Sequence, residues 1–210
     1  DRPDTPASGA GITAADGCQT RPLRADARRN RDRVLEAARS AFGAEGSDVS
    51  LDEIARRAGV GPGTVYRHFA SKESLFEAVV FDRIGELVEE ARVFADDPDP
   101  GRAFASFVER LGLEGARKRD LVEALADDGI HLQLEEAPIV RALTEALAVL
   151  LHRAQHAGAV RSDISVDDVM ALLTGAAYAI CHSRADDERT RRLLAIMYDG
   201  LRADRTAEDV

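Results

Sequence analysis

The stretch GVGPGTVYRHF, residues 59–69, brings together residue types that serve molecular recognition. Gly61 and Gly63 keep side chains away from the backbone, so another molecule can approach the chain closely there. A threonine and a tyrosine carry hydroxyl groups, and Arg67 carries a planar guanidinium that can form paired hydrogen bonds with an anion or a base edge. The stretch is therefore either a glycine-rich loop that cradles a ligand or the exposed start of a helix that contacts another molecule.

A short amphipathic helix is predicted directly before this stretch. Ser50, with Glu53 three residues later, is the pattern of a capping box at a helix start, and Gly59 is a typical stop. The apolar positions between them repeat at helical spacing and are Leu51, Ile54, Ala55 and Ala58. Pro62 favours the first position of the next helix, because its missing N–H is not needed there. The sequence predicts a helix of about eight residues, a tight turn and a second helix.

Two helices joined by a glycine turn, the second with an exposed polar face, are typical of a helix-turn-helix. In that motif the second helix enters the major groove of DNA with its first residues at the base edges. Arg67 can make the bidentate contact that guanine favours, and Thr64 and Tyr66 can bind phosphates or bases. The alternative is a purely structural turn between packed helices, in which Tyr66 and Phe69 belong to the core. His68 is either a DNA contact or a buried link between helices.

The helix predicted before this pair, over residues 26–45, begins with a cluster of arginines. The cluster consists of Arg28, Arg29, Arg31 and Arg33. These side chains are expected to meet the DNA backbone beside the minor groove. Lys72 lies in the first turn of the helix that follows the motif, where it can bind a phosphate.

The distribution of charge agrees with a polyanion bound at one end of the chain. The 210 residues have a net charge of −10, which argues against a protein that is basic throughout. Residues 24–70 have a balance of +2, whereas residues 71–210 have a balance of −11. Arginine outnumbers lysine 26 to 2, so the abundance of arginine alone indicates little about function. A slightly basic segment on an acidic body is suggestive of DNA binding at the amino-terminal end.

The segment VLEAARSAFGAEG…SLDEIARRAGVGPGTVYRHFASKESLFEAV closely resembles the TetR family of bacterial transcription regulators. The resemblance covers residues 28–80 and includes Phe-Gly at the end of the first helix and the Thr-x-Tyr-x-His-Phe-x-x-Lys run. It implies that the recognition helix faces DNA and that the lysine touches the backbone. The candidate DNA contacts are Arg28, Arg29, Ser50, Gly61, Pro62, Gly63, Thr64, Tyr66, Arg67, His68 and Lys72. Gly61 stands where some members carry a base-reading side chain, so part of the specificity code is expected to be either missing or moved to Arg67.

The rest of the chain is predicted to be helical, and the fold class is all-α. Further helices are predicted over 72–92, 102–113, 117–127, 138–157, 166–183 and 187–203. We expect a disordered leader (residues 1–23), a helix-turn-helix DNA-binding domain (24–71) and a helical effector-binding and dimerisation domain (72–205) that begins with a long connecting helix. The leader has few large apolar side chains to offset its ordering entropy.

The carboxy-terminal domain is expected to bind an effector and a second copy of the chain. Residues 169–181 are apolar almost all round, so this helix must be buried on more than one side, and the last two helices suit a four-helix bundle in a homodimer. The alternative is a monomer that buries the helix in its own core. The candidate effector-pocket residues are Phe104, Phe107, His131, Leu147, Leu151, Tyr178 and Cys181. The polar members of this set can instead form hydrogen bonds across the core.

Several other classes of function lack support in the sequence. No cofactor motif, Walker loop or paired nucleophile and base is present, which argues against an enzyme. His152 and His156 have the spacing of two metal ligands, but the glutamate of the zinc-protease motif is missing, and no metal site is predicted. There is no membrane-spanning run, and the two distant cysteines favour a reducing, cytoplasmic location.

The predicted function is that of a repressor that a small molecule releases from near-palindromic double-stranded DNA. The alternatives are an activator of the same fold, and a helical ligand-binding protein or enzyme without DNA readout.

Overall fold

The computed structural model describes residues 20–127, 137–183 and 185–203, and their regular structure is helical. The helices are α1 (Thr20–Glu45), α2 (Leu51–Ala58), α3 (Pro62–His68), α4 (Lys72–Ala95), α5 (Pro100–Asp127), α6 (Pro138–His156), α7 (Val166–His182) and α8 (Asp187–Leu201). A short 3-10 turn, Gly46–Asp48, follows α1. Within the described residues, extended pairing is limited to one isolated bridge between Val160 and Arg202. The predicted all-α class is confirmed.

Helices α1 to α3, which we call the head, pack around the apolar stripe of α1. The residues of this stripe are buried and are Val34, Leu35, Ala38, Ala41 and Phe42. Ile54 of α2 and Val65 of α3 are fully buried against them. The first turns of α4 complete this core, because the ring of Phe76 meets the ring of Phe42 edge-on with centroids 5.3 Å apart. The head therefore depends on a helix that continues beyond it.

Helix α4 connects the head to the remaining helices, and we call α4 to α8 the body. The start of α4 is fixed by a capping box. Ser71 Oγ accepts from the Ser74 amide at 3.2 Å, and Ser74 Oγ accepts from the Ser71 amide at 3.1 Å. Phe76 packs on Phe42 of the head, while Leu87 and Val88 lie in the same continuous cluster as the body core. The predicted connecting helix is present and extends to Ala95.

The body packs α5 against α6, α7 and α8, and α6 against α4. Its core contains Phe104 and Phe107 of α5 and Leu147 of α6, each of which is fully buried. Tyr198 of α8 closes one end, where its hydroxyl donates to the carbonyl of Gly101 at 3.3 Å. None of the helices in the described part of the chain combines the length and the apolar run that a membrane span needs.

Two helix boundaries differ from the sequence-based expectation. Residues 102–113 and 117–127, predicted as separate helices, belong to the single helix α5. Glycines stand at positions 112 and 115, beside the expected break, and a Cβ at position 112 would collide with Leu194 of α8. Close packing of the two helices thus explains a glycine inside a helix, despite its low helix propensity. Helix α1 begins at Thr20, six residues before the predicted start.

Candidate nucleic-acid interface

The first helix of the helix-turn-helix is fixed by an N-cap and a network of ion pairs. Ser50 Oγ accepts a hydrogen bond from the Glu53 amide at 3.2 Å, which satisfies one free N–H of the first turn. In a capping box the Glu53 side chain would also accept from the Ser50 amide. Glu53 does not make this bond, and that part of the prediction is wrong. Its carboxylate instead accepts from Arg56 Nε at 2.8 Å and from Arg57 Nε at 2.7 Å. Two guanidinium groups compete with the backbone for this carboxylate, and charge-assisted bonds are the stronger ones.

The turn between α2 and α3 has the geometry of a Schellman motif. Gly59 has a φ of 64°, in the left-handed region that glycine adopts without strain. The amide of Gly59 donates to the Arg56 carbonyl at 3.2 Å, and the amide of Val60 donates to the Ala55 carbonyl at 3.1 Å. Gly61 then serves as the N-cap of α3, and its carbonyl accepts from the Thr64 amide at 2.8 Å. The turn directs the first residues of α3 outward.

Helix α3 has one buried and one exposed face. Val65 is fully buried, and Phe69, directly after the helix, is 4% exposed. Tyr66 is 51% exposed, and Arg67 and His68 are exposed beside it. Tyr66 is therefore not part of the core, and His68 is not a buried link. Gly61, Pro62 and Gly63 are also exposed, and Thr64 is half-buried.

The cations of this surface are not neutralised by the protein itself. Several arginines elsewhere contact carboxylates, as Arg57 does with Glu45 at 2.5 Å and Arg102 does with Asp97 at 3.0 Å. Arg67 and Lys72, by contrast, have no ion-pair partner within 4.0 Å among the described residues. In an acidic chain, two such cations, one in the last turn of α3 and one at the start of α4, form a site for phosphate or base-edge acceptors.

The arginines of α1 lie on the exposed part of the head, and one of them contacts the residue that follows α3. Arg28 and Arg29 are exposed, and Arg29 pairs with Asp26. The Arg31 guanidinium lies 5.9 Å from the centroid of the Phe69 ring, within the range of a cation–π contact. Arg33 donates to Asn30 at 2.7 Å.

Residues that hold α2 in place were missed in the sequence. Arg57 donates both to Glu53 in its own helix and to Glu45 at the end of α1, and so it ties the two helices together. The signal was available, because Glu53 and Arg57 have the i, i+4 spacing of a helical ion pair. The link to Glu45, however, requires knowledge of how α1 and α2 cross.

These ion pairs shift the titration of the Glu53 carboxyl. The hydrogen bonds from Arg56 and then Arg57 lower the pKa of Glu53 from 4.5 to about 2. At the start of α4, the Ser71 hydroxyl and then the Glu73 amide lower the pKa of Glu73.

Within the described part of the chain, the predicted effector-pocket residues differ in burial. Phe104, Phe107, Leu147 and Leu151 are packed in the core, Tyr178 is 48% exposed on α7, and Cys181 is half-buried. His131 lies outside the described residues. Three cavities lie wholly within the described residues, and none of the candidate pocket residues lines them. The largest, of about 670 Å³, lies between α1, α4 and the start of α6 and is lined by Phe81 and Ile139 among others.

The histidine pair on α6 is exposed and incomplete as a metal site. The rings of His152 and His156 are 4.3 Å apart between centroids. Within the described ranges, no three histidine, cysteine, aspartate or glutamate side chains are placed to hold one metal ion.

Comparison with known proteins agrees with this geometry. Residues 34–79 match the family described as bacterial regulatory proteins of the tetR family, and residues 99–203 match the C-terminal domain of SbtR-like transcriptional regulators. A TetR transcription regulatory protein from Mycobacterium vanbaalenii is 42% identical, and its structure aligns with a TM-score of 0.67 over 87% of this chain and 100% of that chain.

Two further relatives extend the similarity over most of the chain. The TetR transcriptional regulator SCO0520 from Streptomyces coelicolor is 32% identical, with a TM-score of 0.64 over 83% of this chain and 99% of that chain. The HTH-type transcriptional regulator UidR of Escherichia coli is 27% identical over 86% of this chain and 93% of its own length. With a capped α2, a Schellman turn and an exposed polar α3 in the matching region, the chain belongs to the TetR family and is a helix-turn-helix transcription regulator that binds DNA.

Proposed function

We propose that the protein is a repressor that binds a near-palindromic operator as a homodimer and leaves it when a small molecule binds the body. The observation that carries the DNA part is the outward face of α3, where Tyr66, Arg67 and His68 are exposed over a buried Val65. An exposed helix with an unpaired guanidinium matches the donor pattern needed to read guanine in the major groove.

The dimer part is supported by the surface of the last two helices. In a single chain, α7 exposes Leu172 by 45% and Tyr178 by 48%, and α8 exposes Ile196 by 62%. Small residues share this surface, including exposed Ala171 and Gly175, so a neighbouring helix can approach closely. Apolar side chains grouped on two adjacent helices are typical of a subunit interface.

Dimerisation determines the form of the operator. A twofold axis through α7 and α8 relates two copies of α3 and calls for half-sites about one helical turn apart, roughly 34–36 Å. A closed twofold dimer also presents the same surface from both subunits, so the DNA site must repeat the same half-site in inverted orientation.

The effector part is supported by the role of α4, which belongs to both cores. A ligand that favours one arrangement of the body helices would change the direction in which α4 leaves the head. Such coupling typically amounts to ~1–3 kcal/mol, which changes operator occupancy about 5- to 150-fold. A regulator of this kind acts in the cytoplasm, where it meets both DNA and metabolites.

The experiment that tests the proposal is selection from a randomised duplex library at near-physiological salt. Enrichment of an inverted repeat with half-sites one turn apart is expected. Weak, salt-sensitive binding without any enriched sequence would contradict sequence-specific readout by α3. Placing the selected operator within a reporter promoter then separates repression from activation.

A further inference from the structure

A chain of charged side chains connects the head to α5 through α4. Arg39 of α1 donates through one nitrogen to Asp82 Oδ2 and to Glu86 Oε1 of α4, both at 2.8 Å. The other oxygen of Glu86 accepts from Arg83, one turn earlier on the same helix. Arg83 in turn donates to Glu114 of α5 through two nitrogens, at 2.8 Å and 3.1 Å. Glu86 thus stands between an arginine of the head and an arginine that is bound to the body.

The two ends of this chain differ in burial. The side chains of Arg83 and Glu114 are only 15% and 13% exposed, whereas Arg39 is 33% and Glu86 40% exposed. Removing one partner of a largely buried pair leaves an uncompensated charge, whereas exposed pairs contribute little. Arg110 adds a second donor to Glu114 at 2.9 Å and also donates to Glu90 of α4 at 2.9 Å. Helices α4 and α5 are therefore firmly joined, and the contact from α4 to the head is the weaker link.

The weaker link lies where α4 leaves the head. Phe42 and Phe76 form an apolar contact between α1 and α4, and Arg39 lies about one turn from Phe42 along α1. Asp82 and Glu86 lie farther along α4, beyond the core of the head. An apolar contact is not directional, but two ion pairs beyond it restrict the angle between the helices.

We propose that Glu86 is a positioning residue for DNA binding, which holds the angle between α1 and α4 and passes a displacement of α5 to the head through Arg83. This rests on the proposed function, in which a change in the body alters operator affinity. The ion pair between Arg39 and Glu86 is partly exposed to solvent, so it breaks more readily than the buried Arg83–Glu114 pair.

The test compares Glu86→Gln with Glu89→Gln in the full chain. Glu89 is a matched control, because it lies on the same helix and, among the described residues, its ion pair is with Arg92, in an exposed pair one turn away. Spin labels at Ser40 of the head and Ser162 of the body, both exposed, measure the head-to-body distance after both native cysteines are replaced. Glu86→Gln is expected to broaden this distance distribution and to lower operator affinity about two- to fivefold, as expected for a partly exposed ion pair. Glu89→Gln is expected to change neither.

A double-mutant cycle identifies the partner. Arg39→Met should have an effect at least as large as that of Glu86→Gln, because it also removes the pair with Asp82, and the double variant should be little worse than Arg39→Met alone. Additive losses would overturn the assignment of the pair, and so would a Glu86→Gln distance distribution equal to that of the wild type. The distance measurement does not need an operator, so it decides this inference even if the wild-type chain selects no DNA sequence and the proposed function fails. Circular dichroism on each variant confirms that the helices are intact.

Discussion

Arg57 and Glu45 join the end of α1 to the end of α2, with the Arg57 guanidinium 2.5 Å from the Glu45 carboxylate. The same arginine also donates to Glu53, which in turn accepts from Arg56. The helix-turn-helix that presents α3 is therefore stabilised by ion pairs between α1 and α2 as well as by the apolar core of the head. These charges make the stability of the head dependent on pH.

We expect the head to lose stability in acid through Glu53. A carboxyl whose pKa is lower in the folded than in the unfolded chain stabilises the fold above the unfolded pKa and loses that contribution as the pH falls through the folded pKa. For Glu53 this range extends from about pH 4.5 down to about 2. Glu53→Gln should lower the thermal midpoint slightly at neutral pH and flatten its fall within this range, as followed by circular dichroism. Glu109→Gln, an exposed carboxylate on α5, serves as the control. Equal slopes for Glu53→Gln and the wild type would contradict the role given to this carboxylate.

Arg67 and Lys72 are expected to differ in what they contribute to DNA binding. Arg67→Ala should cost ~1–3 kcal/mol on the selected operator and relax its sequence preference. Lys72→Ala should weaken all duplexes alike and reduce the salt slope of binding by about one. Titrations of operator and random duplex at several salt concentrations separate the two effects. Arg92→Ala, at an exposed site on α4 that pairs with Glu89, is the matched control. Identical losses on operator and random DNA for both variants would disprove this division of roles.

The exposed face of α7 is expected to be buried between two subunits. Leu172→Arg places a charge in that interface and should convert the dimer to a monomer at micromolar concentration, because an unpaired buried charge is strongly unfavourable. Val93→Arg, at a position 73% exposed on α4, should leave the dimer intact. Sedimentation velocity measures the oligomeric state of both variants. A dimer that survives Leu172→Arg would place the interface elsewhere on the surface.

Two glycines are expected to respond in opposite ways to alanine. A Cβ at Gly101 would lie 2.6 Å from the Cβ of Ala159, and neither methyl group can rotate away. Gly101→Ala should therefore destabilise the body by ~1–3 kcal/mol. Gly85 on α4 has open space at the same position, so Gly85→Ala should be neutral or stabilise the chain by up to ~1 kcal/mol. Urea unfolding measures the free energy of unfolding of both variants against the wild type. A stable Gly101→Ala variant would show that α5 can move away from residue 159.

Local sequence features were sufficient for the helix-turn-helix. The Ser50 cap, the glycine at 59 and the proline at 62 act within a few residues, so α2 begins and ends, and α3 begins, where the sequence predicted. The apolar spacing also identified Phe69 as buried. The exposed position of Tyr66 could not be decided in this way, because an aromatic residue at that spacing fits either face.

Contacts between distant residues could not be predicted. Arg39 meets Asp82 and Glu86 across 43 and 47 residues of sequence, and neither pair follows a local pattern. The continuity of α5 also depends on a partner, because Gly112 interrupts the helix propensity but fits against Leu194. The predicted pocket residues were chosen for side-chain type, whereas the packing of α5 and α6 determined that four of them are core residues.

The contact of Phe42 with Phe76 has a consequence for modularity. A fragment that ends at residue 71, before α4, would keep the whole recognition helix but would expose the side of the Phe42 ring that Phe76 covers. One apolar cluster runs without interruption from Val34 in the head to Leu201 in the body. We therefore expect that the DNA-reading unit does not fold as a portable module and that the recognition surface is lost when the body unfolds.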